Sequence, residues 1–206
     1  MDWWNDLWLN EGFANYMQYK CVDHLFPDWN IMTLFYTENM EYSQKLDGLR
    51  SSRAVSAGTT NSTNLVELFD AISYNKAAAI IRMLNSLTGE KNFQHALVEY
   101  LNKYAYGNAK GSQLWRVIEK HAALPDGISI ASLANDYITQ VGYPMIYATL
   151  SRNKVTVHNQ TRFFFEDGME GGTQWSIPIY YRTDKESHAK LRWMRHGQSK
   201  GVILFH

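Results

Sequence analysis

Residues 2–14 read Asp2-Trp3-Trp4-Asn5-Asp6-Leu7-Trp8-Leu9-Asn10-Glu11-Gly12-Phe13-Ala14. Asn5 or Asp6 can cap a helix, and Leu7, Trp8, Phe13, Tyr16 and Met17 follow at helical intervals, which predicts a helix running to about His24. A helix that packs Leu7, Trp8 and Phe13 inward tolerates a bare carboxylate on the same side poorly. Burying Asp or Glu is costly unless the group is paired or bound to a metal. Glu11 therefore either lies on the solvent face or meets a partner, and carboxylate oxygen is an ordinary ligand for zinc.

Working outward, Pro27 sits near the start of a second predicted helix carrying Ile31, Leu34, Phe35, Tyr42 and Leu46. Residues 50–64, rich in Ser, Thr, Asn and Gly, read as a surface loop. Further helices are predicted around 75–88, 91–104 and 112–123. The last is marked by Ser129-Ile130 and has Ile130, Leu133, Ala134, Tyr137, Ile138 and Val141 on one stripe. The pattern changes at Gly142-Tyr143-Pro144, after which short segments rich in β-branched and aromatic residues predict strands at 146–150, 154–158, 162–166 and 177–182. The expected fold is mainly α over 1–143, followed by a small all-β sandwich over 144–206. About 100 residues is common for a two-sheet sandwich, so this one is expected to be truncated, with an open sheet edge.

Bulk properties exclude several classes. The 206 residues are 45% hydrophobic and 19% charged, with zero formal net charge, which argues against disorder and against a basic nucleic-acid binder. Apolar stretches such as Ala77 to Ile81 are far too short to cross a bilayer, so no transmembrane segment is expected, and Met1-Asp2-Trp3-Trp4 does not open like a signal peptide. The lone Cys21 permits neither an intrachain disulfide nor a cysteine zinc site, and in a helix it reads as a small buried hydrophobe. Asn61-Ser62-Thr63 and Asn159-Gln160-Thr161 match the glycosylation acceptor without fixing a compartment.

The tryptophan-rich opening resembles the segment that follows the zinc-binding helix of aminopeptidase N-type zinc metallopeptidases. In that family a His-Glu-x-x-His helix supplies two histidine ligands, and a Glu within Asn-Glu-x-x-Ala on the next helix supplies the third; Glu11 occupies that place, between Asn10 and Ala14. A second stretch, Leu68-Phe69-Asp70-Ala71-Ile72-Ser73-Tyr74-Asn75-Lys76-Ala77, is similar to the family's Ser-Tyr-x-Lys-Gly segment. The resemblance implies that the Tyr74 hydroxyl donates to the oxyanion formed when zinc-bound water attacks the peptide carbonyl. Ala77 stands where the family usually has Gly, which predicts a slight displacement of the Tyr74 helix if that glycine serves close packing. Tyr137-Ile138-Thr139-Gln140-Val141-Gly142-Tyr143-Pro144 resembles the family's exit from helices into a β-sandwich. The implied fold is the C-terminal helical lobe of a thermolysin-like catalytic domain. The implied cofactor is Zn2+ in the complete enzyme, and the implied partners are peptide substrates.

The chain also departs from the pattern. None of His24, His95, His121, His158, His188, His196 and His206 is followed by Glu, and no two stand four apart. Family spacing puts the second histidine of the zinc motif nine residues before Met1, so the chain is expected to begin inside the domain. The Gly-x-Met-Glu-Asn strand, whose Glu holds the substrate's amino group, is not in the sequence either. A catalytic zinc needs three protein ligands, so the isolated chain is expected to lack both peptidase activity and stoichiometric zinc. Two readings remain: a piece of a working aminopeptidase, or a catalytically dead paralogue acting as a peptide- or partner-binding module. Compartment stays open between a membrane-anchored, extracellular parent and a cytoplasmic one, as do N-terminal residue specificity and oligomeric state.

Overall fold

The structure, a computed structural model, describes residues 2–56, 62–152, 154–165, 172–198 and 200–204. Residues 57–61 of the expected 50–64 loop, Asn61 among them, lie outside those residues. Helix α1 (Leu7–Leu25) runs through the middle of a helical lobe made with α2 (Ile31–Leu34), α3 (Tyr42–Asp47), α4 (Ala77–Thr88), α5 (Glu90–Lys103), α6 (Gly111–His121) and α7 (Ile130–Thr139). Strands β1 (Pro144–Ser151), β2 (Lys154–Arg162), β3 (Ile177–Tyr181), β4 (Lys190–Met194) and β5 (Lys200–Leu204) follow. A helical lobe followed by a small β region is therefore the architecture that the change of pattern at Gly142 predicts.

The lobe closes around one core. Trp8 stacks on Trp115 of α6 with centroids 5.4 Å apart, and Tyr16 meets Phe35 edge-on at 5.9 Å. Helix α4 buries Ala77, Ala78, Ile80, Ile81 and Leu84 in this core, with Ala77 and Ile81 against α1, while α6 and α7 add Leu114, Ile118, Ile130 and Leu133. Helix α7 starts where expected: the Ser129 hydroxyl accepts from the Ser132 amide at 3.0 Å. Asp6 departs from its expected role. It precedes α1 but makes no side-chain cap there. Its buried carboxylate instead accepts from the Gly111 amide at 3.3 Å, and burial pushes its pKa above the ordinary 3.8. The lone Cys21 is exposed, which corrects the expected burial: it lies on the outer side of α1.

The second predicted helix is interrupted by a π-helical segment, Phe35–Glu41, between α2 and α3. Its buried face is Phe35, Asn39, Ser43 and Asp47, while Leu34 and Tyr42 are exposed. A four-residue spacing drifts by about 40° per step on an α-helix of 3.6 residues per turn. The wider π turn takes up that drift and keeps all four residues facing inward. The apolar spacing misled here because three of the four inward positions are polar.

The β region holds a three-stranded antiparallel sheet, β1-β2-β5, and a two-stranded hairpin, β3-β4. Of the expected 162–166 strand, residues 162–165 form none of their own: Arg162 ends the nine-residue β2, with a bulge opposite Ile146/Tyr147, and Glu166 lies outside the described residues. Strands β4 and β5 lie in stretches the alternation left unassigned. Val157, Trp175, Ile177 and Met194 form a small second core that joins the helical core through Tyr137. Side-chain amides stitch the join: Gln140 exchanges hydrogen bonds with the Gln174 backbone, and the Asp136 carboxylate accepts from the Ser176 amide at 2.9 Å.

Candidate active site

Glu11 and Tyr74 come from helical segments far apart in sequence, and the fold brings their side chains together. Glu11 is half-buried on α1, and Tyr74 faces its carboxylate. Burial, with the neighbouring Glu11 carboxylate adding to it, pushes the Tyr74 hydroxyl above its ordinary value of 10. Both sequence-singled residues thus occupy one place, and Glu11 is neither fully exposed nor isolated in the core.

The close approach depends on the next residue in each segment. Gly12 sits against α4 so tightly that a Cβ there would lie 2.6 Å from the Ala77 Cβ and 3.2 Å from the Ile81 Cδ1. Ala77, the departure from the family pattern, packs its methyl directly on this glycine. Tyr74 still reaches Glu11 with the methyl in place.

Tyr74 itself lies in a second π-helical segment, Ile72–Lys76, that leads into α4. Such π turns recur at functional sites because they re-aim side chains within a helix. Two polar anchors hold this one. On the N-terminal side the Asp70 carboxylate accepts from the Ile72 and Ser73 amides, both at 3.0 Å. Arg53 in turn grips Asp70 through two nitrogens, at 2.6 and 3.0 Å. On the C-terminal side the buried Lys76 ammonium pairs with Asp47 of α3 at 2.7 Å and donates to the Gly142 carbonyl at 2.9 Å. Asp47 also accepts from the Gly142 amide at 3.0 Å and from the Ser52 hydroxyl at 2.6 Å. Burial pushes the Lys76 pKa down, and the Asp47 carboxylate opposes that shift.

Beside Tyr74, Asn75 donates to the Asn39 side-chain oxygen Oδ1 at 3.0 Å, and Asn15, one turn beyond Glu11, donates to the same oxygen at 2.6 Å. This bridge ties α1, both π segments and hence the Glu11–Tyr74 pair into one polar face. Sequence reasoning missed Arg53, Asn39 and the Asp47–Lys76 pair. Asp70 stood three residues before Ser73, a spacing that a capping search would catch. Arg53 lies in an irregular stretch without any local signal.

Glu11 is a single donor. Among the described residues no group of three His, Cys, Asp or Glu stands close enough to hold a metal ion. The donors present therefore do not make a complete zinc site.

The peptidase family M1 domain profile matches residues 1–137 of the 206. The chain belongs to peptidase family M1. The matched stretch contains Glu11, the Asp70 cap and Tyr74. Relatives of this M1 chain include aminopeptidase M1-B of Oryza sativa subsp. japonica, 40% identical over 179 residues, 87% of this chain and 20% of the relative. Aminopeptidase M1 of Arabidopsis thaliana is 39% identical over the same shares. The tricorn protease-interacting factor F2 of Thermoplasma volcanium is 34% identical over 185 residues, 90% of this chain and 23% of that protein. This M1 chain thus spans about a fifth of the length of the relatives it matches. Among its described residues no helix is long and apolar enough to cross a membrane.

Proposed function

We propose that this chain is the Glu11–Tyr74 share of an M1 aminopeptidase active centre, in a protein that removes N-terminal residues from peptides. Residues 1–143 form the C-terminal part of its catalytic domain, and 144–206 form a β-sandwich portion. The observation that carries this reading is that Glu11 and Tyr74, from separate helical segments, face one another where Gly12 lets α1 meet Ala77. Glu11 is one zinc ligand in the complete enzyme, where the metal supplies activation of water; further ligands come from outside the described residues.

Tyr74 is a hydrogen-bond donor preset beside that carboxylate. Its task is to donate to the oxygen of the attacked carbonyl as negative charge builds there. One such donor is worth about 10²–10³ in rate. Because the charge is absent from the ground state, the loss falls on kcat rather than KM.

The test is Tyr74→Phe and Glu11→Gln in the complete protein, with aminoacyl-p-nitroanilides as substrates. Tyr74→Phe should lower kcat by about 10²–10³ with KM little changed, and Glu11→Gln should lower zinc content as well as activity. Wild-type kcat for Tyr74→Phe defeats the assignment. The isolated chain should hydrolyse no peptide and hold no stoichiometric zinc; one tightly bound zinc per chain, lost on Glu11→Ala, would overturn that expectation. The alternative reading is a non-catalytic module that binds peptides or a protein partner. In that case neither substitution has an activity to remove from the complete protein.

A further inference from the structure

We propose that Arg53 is a positioning residue for Tyr74, acting through Asp70 and Ser73. The inference rests on the reading of Tyr74 as the oxyanion donor. One guanidinium makes an unusual number of bonds next to that tyrosine. Arg53 Nη2 donates to Asp70 Oδ1 at 2.6 Å, to Ser73 Oγ at 2.7 Å and to the Leu68 carbonyl at 3.1 Å. Its Nε donates to Asp70 Oδ2 at 3.0 Å.

These partners are not scattered. Asp70 is the group that accepts from the Ile72 and Ser73 amides, and Ser73 is buried and immediately precedes Tyr74. The guanidinium therefore locks the carboxylate that holds the first turn, and at the same time holds the side chain next to the tyrosine. Asp70 without Arg53 would be free to rotate and surrender either amide. A π turn spends backbone regularity to aim one side chain, so the aim depends on fixing both of its ends. Lys76 and Asp47 fix the far end; Arg53 fixes the near one.

The contact set also explains why the residue is arginine. Two parallel bonds to a carboxylate with a third donor left for a hydroxyl require a planar fork, which lysine does not have. Lysine retains the charge and one contact to Asp70 and loses the rest. Arg53 is also fastened from behind, since its Nη1 donates to the Ala54 carbonyl at 2.9 Å. The Ser56 amide three residues on donates to the Ile138 carbonyl of α7 at 2.8 Å. The node is thus anchored to the body of the lobe rather than to the surface loop alone.

The experiment is a double-mutant cycle in the complete enzyme with an aminoacyl-p-nitroanilide, reading kcat and KM separately. Arg53→Lys should lower kcat by about 10–100-fold, the scale of an ångström-level misplacement, with KM within about twofold. In a Tyr74→Phe background the same substitution should change kcat by less than about twofold, since the group it aims is gone. Ser73→Ala, which leaves the Arg53–Asp70 pair intact, should give a smaller loss that also vanishes in that background, and it serves if Arg53→Lys does not fold. Added guanidinium should restore part of the kcat lost in Arg53→Ala. Equal losses in the wild-type and Tyr74→Phe backgrounds overturn the proposal, because they mark a general structural role. So does wild-type kcat for Arg53→Lys beside an impaired Tyr74→Phe. Wild-type kcat for Tyr74→Phe itself overturns the oxyanion reading, and this proposal with it.

Discussion

Replacing Gly12 by alanine tests the contact that sets Glu11 beside Tyr74. The new methyl would lie 2.6 Å from the Ala77 Cβ, 3.2 Å from the Ala77 carbonyl carbon and 3.2 Å from the Ile81 Cδ1. The Ala77 contacts belong to a buried helix start and cannot swing aside as a side-chain tip can. Overpacking of this kind costs about 1–3 kcal/mol. Against it, alanine in a helix interior is favoured over glycine by about 1 kcal/mol. The net expectation is a loss of about 1 kcal/mol, or roughly 2–4 °C in Tm for a chain of this size. The reverse change at the partner separates clash from propensity. Ala77→Gly alone should cost about 1 kcal/mol of helix propensity. Combining the two moves the methyl from α4 to α1, so the propensity terms cancel and the 2.6 Å clash goes, leaving only the two milder 3.2 Å contacts. The double variant should therefore lie near wild type, with a coupling of about 2 kcal/mol between the sites. Urea unfolding, followed by the fluorescence of the buried, stacked Trp8 and Trp115, reads each corner of the cycle. A coupling near zero would refute the claim that α1 and α4 meet at hard contact at Gly12.

Further expectations concern the anchors and the surface. Lys76→Met strands the Asp47 carboxylate in the interior and should destabilise the chain by about 3–5 kcal/mol, with Asp47→Asn in the same chain recovering part of the loss in urea midpoint. Burial, with the Asp47 charge adding to it, raises the Tyr143 hydroxyl from 10 to about 12. The folded state then keeps this proton while the unfolded state loses it, so the contribution is intact below pH 10 and is lost as pH rises to about 12. Tyr143→Phe should remove up to one proton from the slope of stability against pH in that window, as measured by urea unfolding at several pH values. Glu90 is held below its ordinary 4.5, first by the hydrogen bond from Lys20. Its contribution is present above that value and lost as pH falls through the lowered one, so Glu90→Gln should flatten the acid limb slightly. The exposed Cys21 should react with one equivalent of an aromatic disulfide reagent in the native chain, without denaturant.

The helix–strand division was legible because it rests on local chemistry. Apolar stripes mark α4, α6 and α7, Ser129 caps α7, and the pattern changes at Gly142 before Pro144. The inward face of the second predicted helix went unread because three of its positions, Asn39 in the π turn and Ser43 and Asp47 in α3, are polar and find partners only in the folded chain. Strand β5 escaped notice because its partner is the distant β2, and β4, though it closes a hairpin with β3, is only five residues long.

Family membership, and Glu11 and Tyr74 as the residues to watch, came from the order of residues along the chain. A dozen consecutive positions around Glu11 carry more information than any one residue's chemistry. That the two side chains meet was decided by tertiary structure alone, because it depends on Gly12 letting α1 approach Ala77 within a methyl's width. The grip of Arg53 on the Tyr74 turn was equally invisible beforehand. Its partners are Leu68, Asp70 and Ser73, fifteen to twenty residues away, and hydrogen bonds between separate segments leave no periodicity in a sequence.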